Sequence, residues 1–457
     1  MFPSMGDRSP ILRFVATMPK AGRFLAGKVE RFRQGRSTCT PILPAPLTRG
    51  ISGRFRPMVS SALPFRFSSS IPEWLHAAAL IGLAIVTGIV GWSGHVLTLP
   101  VALVFPALWA SSRSRLVAAA VSAGYFLAAS RGLPQGVANF YAADLWPGLL
   151  LWVAASLSFL VVHTALWTKR RGEGTAVRFF VAAVLMALPP FGIVGWAHPI
   201  TAAGVVFPGW GWLGLVAAAA GLLVMTTKWW PAASIALGGF WLWSAATWTP
   251  PPLPYGWTGV DLELGQSLGR DVALDRHRDL VATVKRTASQ GAGVVVLPES
   301  TLGFWTPTVD RLWRGGLNGT TITVIAGGVI VGSDGYDNAM IAVSAPGSQI
   351  LYRERMPVPV SMWQPWRRWI GESAGARAHL FANPVVELAG SRIAPLICYE
   401  QLIVWPVLQS MVHDPDLVVA TGNGWWTAGT SIVAIQIASA EAWAKLFGKP
   451  IVMAFNT

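Results

Sequence analysis

The chain has 457 residues, of which 53% are hydrophobic, only 12% are charged and 24 are tryptophan. Roughly a quarter of the residues of an ordinary globular protein are charged, so this composition excludes a wholly water-soluble fold and indicates that part of the chain lies in a bilayer. The formal net charge is +14, and most of it lies near the N-terminus. That region has neither zinc-ligand nor helix-turn-helix spacing, so no direct nucleic-acid binding is predicted.

Residues 1–73 are predicted to form a basic, disordered tail on the cytoplasmic side of the membrane. An alternative is that this stretch is upstream sequence translated from a mis-assigned start, in which case Met58 is a candidate for the native start. The chain contains only two cysteines, Cys39 and Cys398, which excludes a framework of disulfides.

Residues 74–248 are predicted to cross the membrane about seven times, as a polytopic helical bundle. Basic residues fall in alternate connections, so the positive-inside rule predicts a cytoplasmic N-terminus and a C-terminal domain on the opposite side. A proline-rich linker, 249–256, cannot continue a helix and ends this part of the chain. The seven apolar stretches are roughly 74–91, 96–110, 116–130, 146–167, 177–196, 205–227 and 229–248.

Residues 257–457 alternate helix and strand signals, which is typical of a layered α/β domain. Helices are predicted over about 272–289 and 431–447 from their length and pattern. Short apolar runs predict strands at 293–297, 321–326, 340–344, 392–397, 417–420 and 451–455.

Two residues at predicted strand ends are candidates for chemistry. Cys398 follows a hydrophobic strand, at the edge where α/β sheets present reactive groups, and is a candidate nucleophile. Glu299 follows a strand of aliphatic residues, where poor solvation would raise its pKa toward that of a general base. Each has an ordinary alternative: free cysteine is often a buried apolar residue, and an acid after a strand can begin a helix.

Three segments, in this order, resemble the carbon–nitrogen hydrolase (nitrilase) superfamily. They are Pro298-Glu299, Cys398-Tyr-Glu400 and Asn423-Gly-Trp-Trp426. The resemblance implies an α-β-β-α sandwich, a catalytic set of Glu, Lys and Cys, and no cofactor or metal. A membrane half before such a domain is similar to apolipoprotein N-acyltransferases, which take an acyl chain from phospholipid, and to plasmid conjugal transfer proteins of the same layout.

The resemblance assigns roles to particular residues. It makes Glu299 the general base and Cys398 the nucleophile, and it places the protein in the bacterial inner membrane with a periplasmic C-terminal domain. Its partners would be the lipid bilayer, a phospholipid acyl donor and other conjugal transfer proteins. The matching motifs assign substrate binding to Tyr336, Asn338, Tyr399, Glu400, Asn423 and Trp425, and a supporting helix to Gln436 and Glu441.

One position departs from the family pattern. Where the family has its catalytic lysine, this chain reads Tyr352-Arg-Glu354-Arg-Met, so that Glu354 stands in place of lysine and Arg355 is a candidate substitute. An ammonium there would donate to the oxyanion and hold the thiolate, whereas a carboxylate would repel both. Impaired activity is therefore expected if the site functions.

The sequence leaves three functional interpretations open. The first is a membrane-anchored enzyme of acyl transfer or amide hydrolysis, and the second is a catalytically silent membrane component of the conjugation machinery. The third, a small-molecule transporter, is disfavoured by the few ionisable residues in the apolar stretches. The chain also stops at Ala454-Phe-Asn-Thr457, in the middle of a family motif, so a C-terminally incomplete sandwich is expected.

Overall fold

The computed structural model describes residues 72–169, 172–265, 274–373 and 375–457. The predicted basic tail before residue 72, including Met58 and Cys39, lies outside these residues. Residues Glu73–Thr457 form one compact unit.

The first part of this unit consists of apolar helices. A helix or helical turn occurs in each of the seven stretches predicted to be helical. A further helix, Leu133–Tyr141, was not predicted and lies between the third and the fourth stretch. The α-helices are α1 Glu73–Gly91, α2 Phe105–Ser111, α3 Arg115–Ala129, α4 Leu133–Tyr141, α5 Leu145–Leu166, α6 Glu173–Ala187, α7 Ala203–Val206, α8 Gly211–Met225 and α9 Trp230–Thr247.

Several of these helices are shorter than their apolar stretches because prolines interrupt them. Pro100 lies in a 3-10 segment, Val96–Val104, which precedes α2. Pro189 and Pro190 follow the end of α6, and Pro208 lies between α7 and α8. A proline removes a backbone donor and clashes with the preceding turn, so the α-helix does not continue through these positions.

Two described helices, α1 and α5, are long and apolar enough to cross a membrane, and the pair α3 and α4, bent by 48°, would make a third span. The structure therefore gives fewer full-length spans, by length and composition, than the seven predicted. The number of crossings and the orientation of the chain stay predictions.

The second part contains two β-sheets. In the first, β1 to β3 are parallel and β3 to β5 antiparallel, in the order β1-β2-β3-β4-β5; in the second, β6 pairs antiparallel with β7, and β7 to β9 are parallel. The strands are β1 Trp257–Gly259, β2 Val294–Val296, β3 Thr323–Gly332, β4 Gly335–Val343, β5 Ser348–Arg353, β6 Val386–Leu388, β7 Ser391–Ile397, β8 Leu417–Asn423 and β9 Ile451–Asn456.

The sheets pack face to face, and helices cover their outer faces. The first sheet is covered by α10, Leu274–Ser289, and α11, Pro307–Gly316; the second is covered by α12, Val404–Met411, and α13, Ile432–Phe447. Three buried clusters fill the spaces between these layers. This is the α-β-β-α sandwich that the sequence resemblance implied.

The far edge of β9 is partly covered by the chain that follows β1. The amide of Leu262 donates to the carbonyl of Phe455, and the amide of Thr457 donates to the carbonyl of Leu262. The side chain of Asp261 accepts from the amide of Phe455 at 2.8 Å. The expectation that the sandwich is incomplete stays a prediction.

Helix α13 joins the two parts of the unit. One buried cluster continues from the apolar helices through α13 to the outer face of the second sheet. Gly204 of α7 approaches so closely that a Cβ atom there would lie 1.6 Å from the carbonyl oxygen of Ala442. The boundary predicted at residues 249–256 thus separates two kinds of structure that share one core.

We expect Gly204→Ala to destabilise the unit, because the added methyl group must push α7 away from α13. Overpacking of this kind costs about 1–3 kcal/mol, so the thermal unfolding midpoint in detergent should fall. Gly239→Ala in α9 is the matched control, since nothing lies within 4 Å of a Cβ atom there. Equal midpoints for the two variants would contradict the close packing of α7 on α13.

Candidate active site

Glu299 and Cys398 lie beyond the ends of neighbouring strands in opposite sheets. Glu299 follows β2, and Cys398 follows β7 directly. Cys398 has a φ of 46° and Ser300 a φ of 61°, which are left-handed conformations that cost a non-glycine residue about 1–3 kcal/mol. Such conformations persist where the surrounding structure fixes them, and they re-aim the chain so that the acid and the thiol face each other.

Glu299 is held as a poorly solvated carboxyl group. Its side chain is 4% exposed, and burial raises its pKa to about 7. The side-chain amide of Asn338 donates to Oε1 of Glu299 and lowers this pKa, and the charge of Glu400 raises it further. A group that titrates near neutrality is suited to take a proton in catalysis.

One amide joins Glu299 to the residue at the lysine position. The Nδ2 atom of Asn338 donates to Oε1 of Glu299 and to Oε2 of Glu354, both at 2.8 Å. Glu354 is fully buried. Its pKa lies well above the usual range because of burial and then the charges of Glu400 and Glu299.

Cys398 is a buried, neutral thiol at rest. It is 5% exposed, and its pKa is raised first by burial and then by the negative charges of Glu299 and Glu354. Gln436 of α13 donates to its Sγ at 3.5 Å, which lowers that pKa, as does the Asn423 backbone. A thiolate can therefore form here only as the proton leaves to a nearby base.

The structure gives Glu400 and Arg355 positions that differ from their predicted roles. Both oxygens of Glu400 accept hydrogen bonds from the protein: Oε1 from the Tyr352 hydroxyl at 2.6 Å and the Arg355 amide at 2.7 Å, and Oε2 from the Ile397 amide at 2.8 Å. The side chain therefore joins the end of β5 to the end of β7. This position is structural, whereas the sequence predicted that Glu400 binds substrate.

Arg355 is not placed as a substitute for the lysine. Its three guanidinium nitrogens donate to the Tyr352 hydroxyl and to the carbonyls of Pro406 and Pro395, at 2.8, 2.9 and 3.2 Å. The guanidinium also lies 3.8 Å from Glu400. The donors of Arg355 are thus used elsewhere in this structure, and the expectation that it could replace the lysine stays a prediction.

The other predicted pocket residues divide into two groups. Asn338 lies in the site, and Asn423 borders it at the end of β8, where its Oδ1 accepts from Asn456 at 2.9 Å. Tyr336 is two residues before Asn338 on β4, so it shares its face, and its amide donates to the carbonyl of Gly375.

Tyr399 and Trp425 instead contact the apolar helices. The Tyr399 hydroxyl donates to the carbonyl of Ile193 at 2.8 Å, and Trp425 stacks on Phe140 of α4 with ring centroids 5.7 Å apart. Asn139 of α4 donates to the carbonyl of Trp426 at 3.0 Å. Helix α4 thus supports the loop that contains Trp425 and Trp426, a role that was not predicted. The polar residues Gln135 and Asn139, in an otherwise apolar region, were the signal that could have indicated it.

Among the described residues, no group of three or more His, Cys, Asp or Glu side chains is arranged to hold a metal ion.

Comparisons with known proteins identify relatives of this chain. A family model described as carbon-nitrogen hydrolase matches residues 127–445, beginning within α3. "Conjugal transfer protein TraB" of Agrobacterium fabrum is 64% identical over 416 residues, which cover 89% of this chain and 99% of that protein. "Probable conjugal transfer protein TraB" of Sinorhizobium fredii is 66% identical over 374 residues, covering 82% and 96% respectively.

Among solved structures, a mutant of the Nesterenkonia AN1 amidase from the nitrilase superfamily is 16% identical, with a TM-score of 0.34. The alignment covers 45% of this chain and 78% of that one.

The raised pKa of Glu299 predicts that stability falls as pH rises. Its ordinary pKa is 4.5 and its folded value about 7, so between these values the folded state binds more protons than the unfolded state. The free energy of unfolding should therefore decrease by about 3 kcal/mol across this interval. Glu299→Gln should flatten the fall in unfolding midpoint measured from pH 4.5 to 7.

The exposed Glu263 offers the control, because Glu263→Gln should leave the wild-type pH profile in place. A profile for Glu299→Gln as steep as that of the wild type would contradict the burial of an ionisable Glu299.

Proposed function

The chain belongs to the carbon–nitrogen hydrolase family, and from that membership we propose that it is a membrane-anchored enzyme that transfers or hydrolyses acyl groups through Cys398. The observation that carries this proposal is the pairing of Glu299 and Cys398 at adjoining strand ends. The two groups are close enough for the charge of Glu299 to raise the pKa of the Cys398 thiol, and an acid beside a thiol is the arrangement that nucleophilic catalysis requires.

The reaction would proceed in two balanced steps. As the Sγ atom of Cys398 attacks the substrate carbonyl, Glu299 takes the thiol proton and the carbonyl oxygen becomes an oxyanion. The tetrahedral intermediate collapses to a thioester when the leaving group departs with the proton from Glu299. Water or an amine then attacks the thioester and gives its proton to Glu299, and Glu299 returns that proton to the sulfur as the C–S bond breaks, which releases the acyl product and restores the thiol.

The pKa values of the two groups suit a concerted proton transfer. The thiol of Cys398 resists ionisation because it is buried beside acids, so no resting thiolate is formed. Glu299, with a pKa of about 7, exists in both protonation states near neutrality. It can therefore act as the base in the first half of each step and as the acid in the second.

Exposed apolar side chains support the membrane anchoring. Large apolar residues of the helical part point outward and are not covered by the rest of the unit, and a soluble protein rarely exposes such extended patches. The lipid bilayer would cover them, with the N-terminus in the cytoplasm, the sandwich in the periplasm, and phospholipid as a possible acyl donor. Examples are Leu83, Val161, Leu213, Ile235, Leu242 and Trp243.

The names of the relatives support a biological setting. Two proteins more than 60% identical to this chain are described as conjugal transfer proteins. We therefore propose that the chain acts in plasmid conjugation in a bacterial inner membrane, together with other transfer proteins. A lipoprotein acceptor, as in apolipoprotein N-acyltransferases, is the alternative substrate within the same chemistry.

A catalytically silent membrane component of the conjugation machinery is the second candidate function. The observation that favours it is Glu354 at the lysine position, where the neighbouring cation Arg355 has its donors engaged by Tyr352, Pro395 and Pro406. A site without its cation would lose an oxyanion donor worth about a hundred- to thousandfold in rate.

We expect Cys398 in the native protein to react with an activated acyl ester faster than it does in the unfolded protein, although it is buried. Mass spectrometry would locate the adduct and follow its rate. Glu299→Gln should abolish the acceleration, because no base remains to take the proton, and Cys398→Ser should abolish the adduct. Cys39 supplies an internal control thiol in the same chain. A native rate no higher than the unfolded rate would contradict a working acid–thiol pair.

Plasmid transfer distinguishes the two candidate functions. In donor cells that lack this gene, the wild-type chain should restore transfer to recipients, and Cys398→Ser should reduce transfer frequency by about a hundredfold or more if acyl transfer is its role. Cys39→Ser is the control, and blotting of membranes would verify equal abundance. Full transfer with Cys398→Ser would favour the silent component instead.

A further inference from the structure

Backbone pairing, rather than the charge of its carboxyl group, places Glu354 at the lysine position. It follows β5, and its amide donates to the carbonyl of Asn338 at 2.9 Å, which continues the pairing with β4. The side chain is fully buried. Backbone pairing thus directs Glu354 into the site beside the Asn338 amide.

Among the described residues, the surroundings of Glu354 contain acids and no cation whose donors are free. Glu299 and Glu400 raise its pKa by their charges, and Cys398 is near enough for the charge of Glu354 to raise the pKa of the thiol. The Tyr352 hydroxyl is committed to Glu400 at 2.6 Å. Arg355 is committed to Tyr352 and to backbone carbonyls.

The hydrogen bonds of Glu354 distinguish its two oxygens. Oε2 accepts from Nδ2 of Asn338 at 2.8 Å, so Oε2 has the place of a carbonyl oxygen. Oε1 is buried and has no hydrogen-bond partner within the part of the chain that the structure describes. A proton on Glu354 would therefore reside on Oε1, in a site where Oε2 of Glu299 and Oδ1 of Asn338 are likewise buried without a partner among the described residues.

We propose that Glu354 acts as a neutral carboxylic acid whose Oε1–H group donates a hydrogen bond to the oxygen of the substrate carbonyl, in place of the lysine ammonium of the family. This inference rests on the proposed acyl-transfer function of Cys398. Glu354 keeps its proton throughout the reaction, while Glu299 carries the proton that moves. The two carboxyl groups linked by Asn338 thus have different roles.

The electrostatics of the site agree with this division of roles. Burial and then the charges of Glu400 and Glu299 hold the pKa of Glu354 well above its usual range, whereas the pKa of Glu299 is about 7. Two acids whose environments separate their pKa values commonly serve one as acid and one as base. A neutral donor also avoids the repulsion that a carboxylate would exert on the oxyanion.

The protonation of Glu354 can be measured without any activity. Infrared spectra of the purified full chain in D2O at pH 7 should contain the carbonyl band of protonated carboxyl groups, and Glu354→Gln should reduce that band, leaving the part contributed by Glu299, whose pKa is about 7. Glu387→Gln, at an exposed carboxyl, is the control and should leave the band unchanged. A spectrum of Glu354→Gln that retains the whole band would overturn the proposal.

The donor role is tested by the rate at which Cys398 is acylated by the activated ester. Glu354→Gln keeps a neutral donor of the same shape and should lose no more than about tenfold. Glu354→Leu has no donor and should lose about a hundred- to thousandfold. Glu354→Lys restores the family donor and should react at least as fast as the Gln variant. Equal rates for the Gln and Leu variants would overturn the donor role.

The outcomes separate this inference from the proposed function. If wild-type Cys398 is not acylated faster than an unfolded thiol, the acyl-transfer proposal fails and the donor role fails with it, while the infrared band still reports the protonation of Glu354. If wild-type acylation is fast and the Leu variant matches it, only the donor role fails. If the Leu variant does not fold, the Gln and Lys variants decide. An ionised Glu354 would repel the oxyanion, so replacing it by Gln or Lys would accelerate acylation at pH 7 more than tenfold. That acceleration in both variants would overturn the donor role.

Discussion

The enclosure of α13 between the second sheet and the apolar helices is the constraint on which the site depends. Close contact at Gly204 and Ala442 fixes the helix on one side, and the buried core of the sheet fixes it on the other. The helix in turn brings Gln436 to 3.5 Å from the sulfur of Cys398. The loop that precedes α13 is held by Asn139 of α4. The apolar helices are therefore part of the scaffold of the site as well as a candidate membrane anchor.

Within that scaffold, hydrogen-bond donors distinguish Glu400 from Glu354. A buried carboxylate is tolerated only where donors replace its water. Glu400 has four, from Tyr352, Arg355, Met356 and Ile397, which offset part of the burial that raises its pKa, and it holds two strand ends together. Glu354 has one side-chain donor, Asn338. Burial with a single donor favours the neutral acid, and this asymmetry follows from where the strands end.

The sequence predicted those parts of the fold in which local pattern and burial agree. The aliphatic runs of β2, β7 and β8 and the apolar helix α13 were predicted, as were Glu299 and Cys398 at strand ends. Strand β5, with the sequence Ser-Gln-Ile-Leu-Tyr-Arg, was not predicted, because its pairing with β4 rather than its own pattern makes it a strand. The partners of Glu400 and Arg355 could not be predicted, since they come from distant segments that meet only in the folded chain.

The residue at the lysine position shows why an amino-acid type does not settle a chemical role. From the sequence, Glu354 was expected to repel an oxyanion, because a glutamate in water is ionised at neutral pH. The fold removes the water and places two further acids nearby, both of which oppose ionisation, while the single amide donor, Asn338, only partly offsets them. The same side chain then changes from an acceptor that repels the intermediate to a donor that could stabilise it. Whether this site retains its chemistry thus depends on a proton that the fold, rather than the residue type, holds in place.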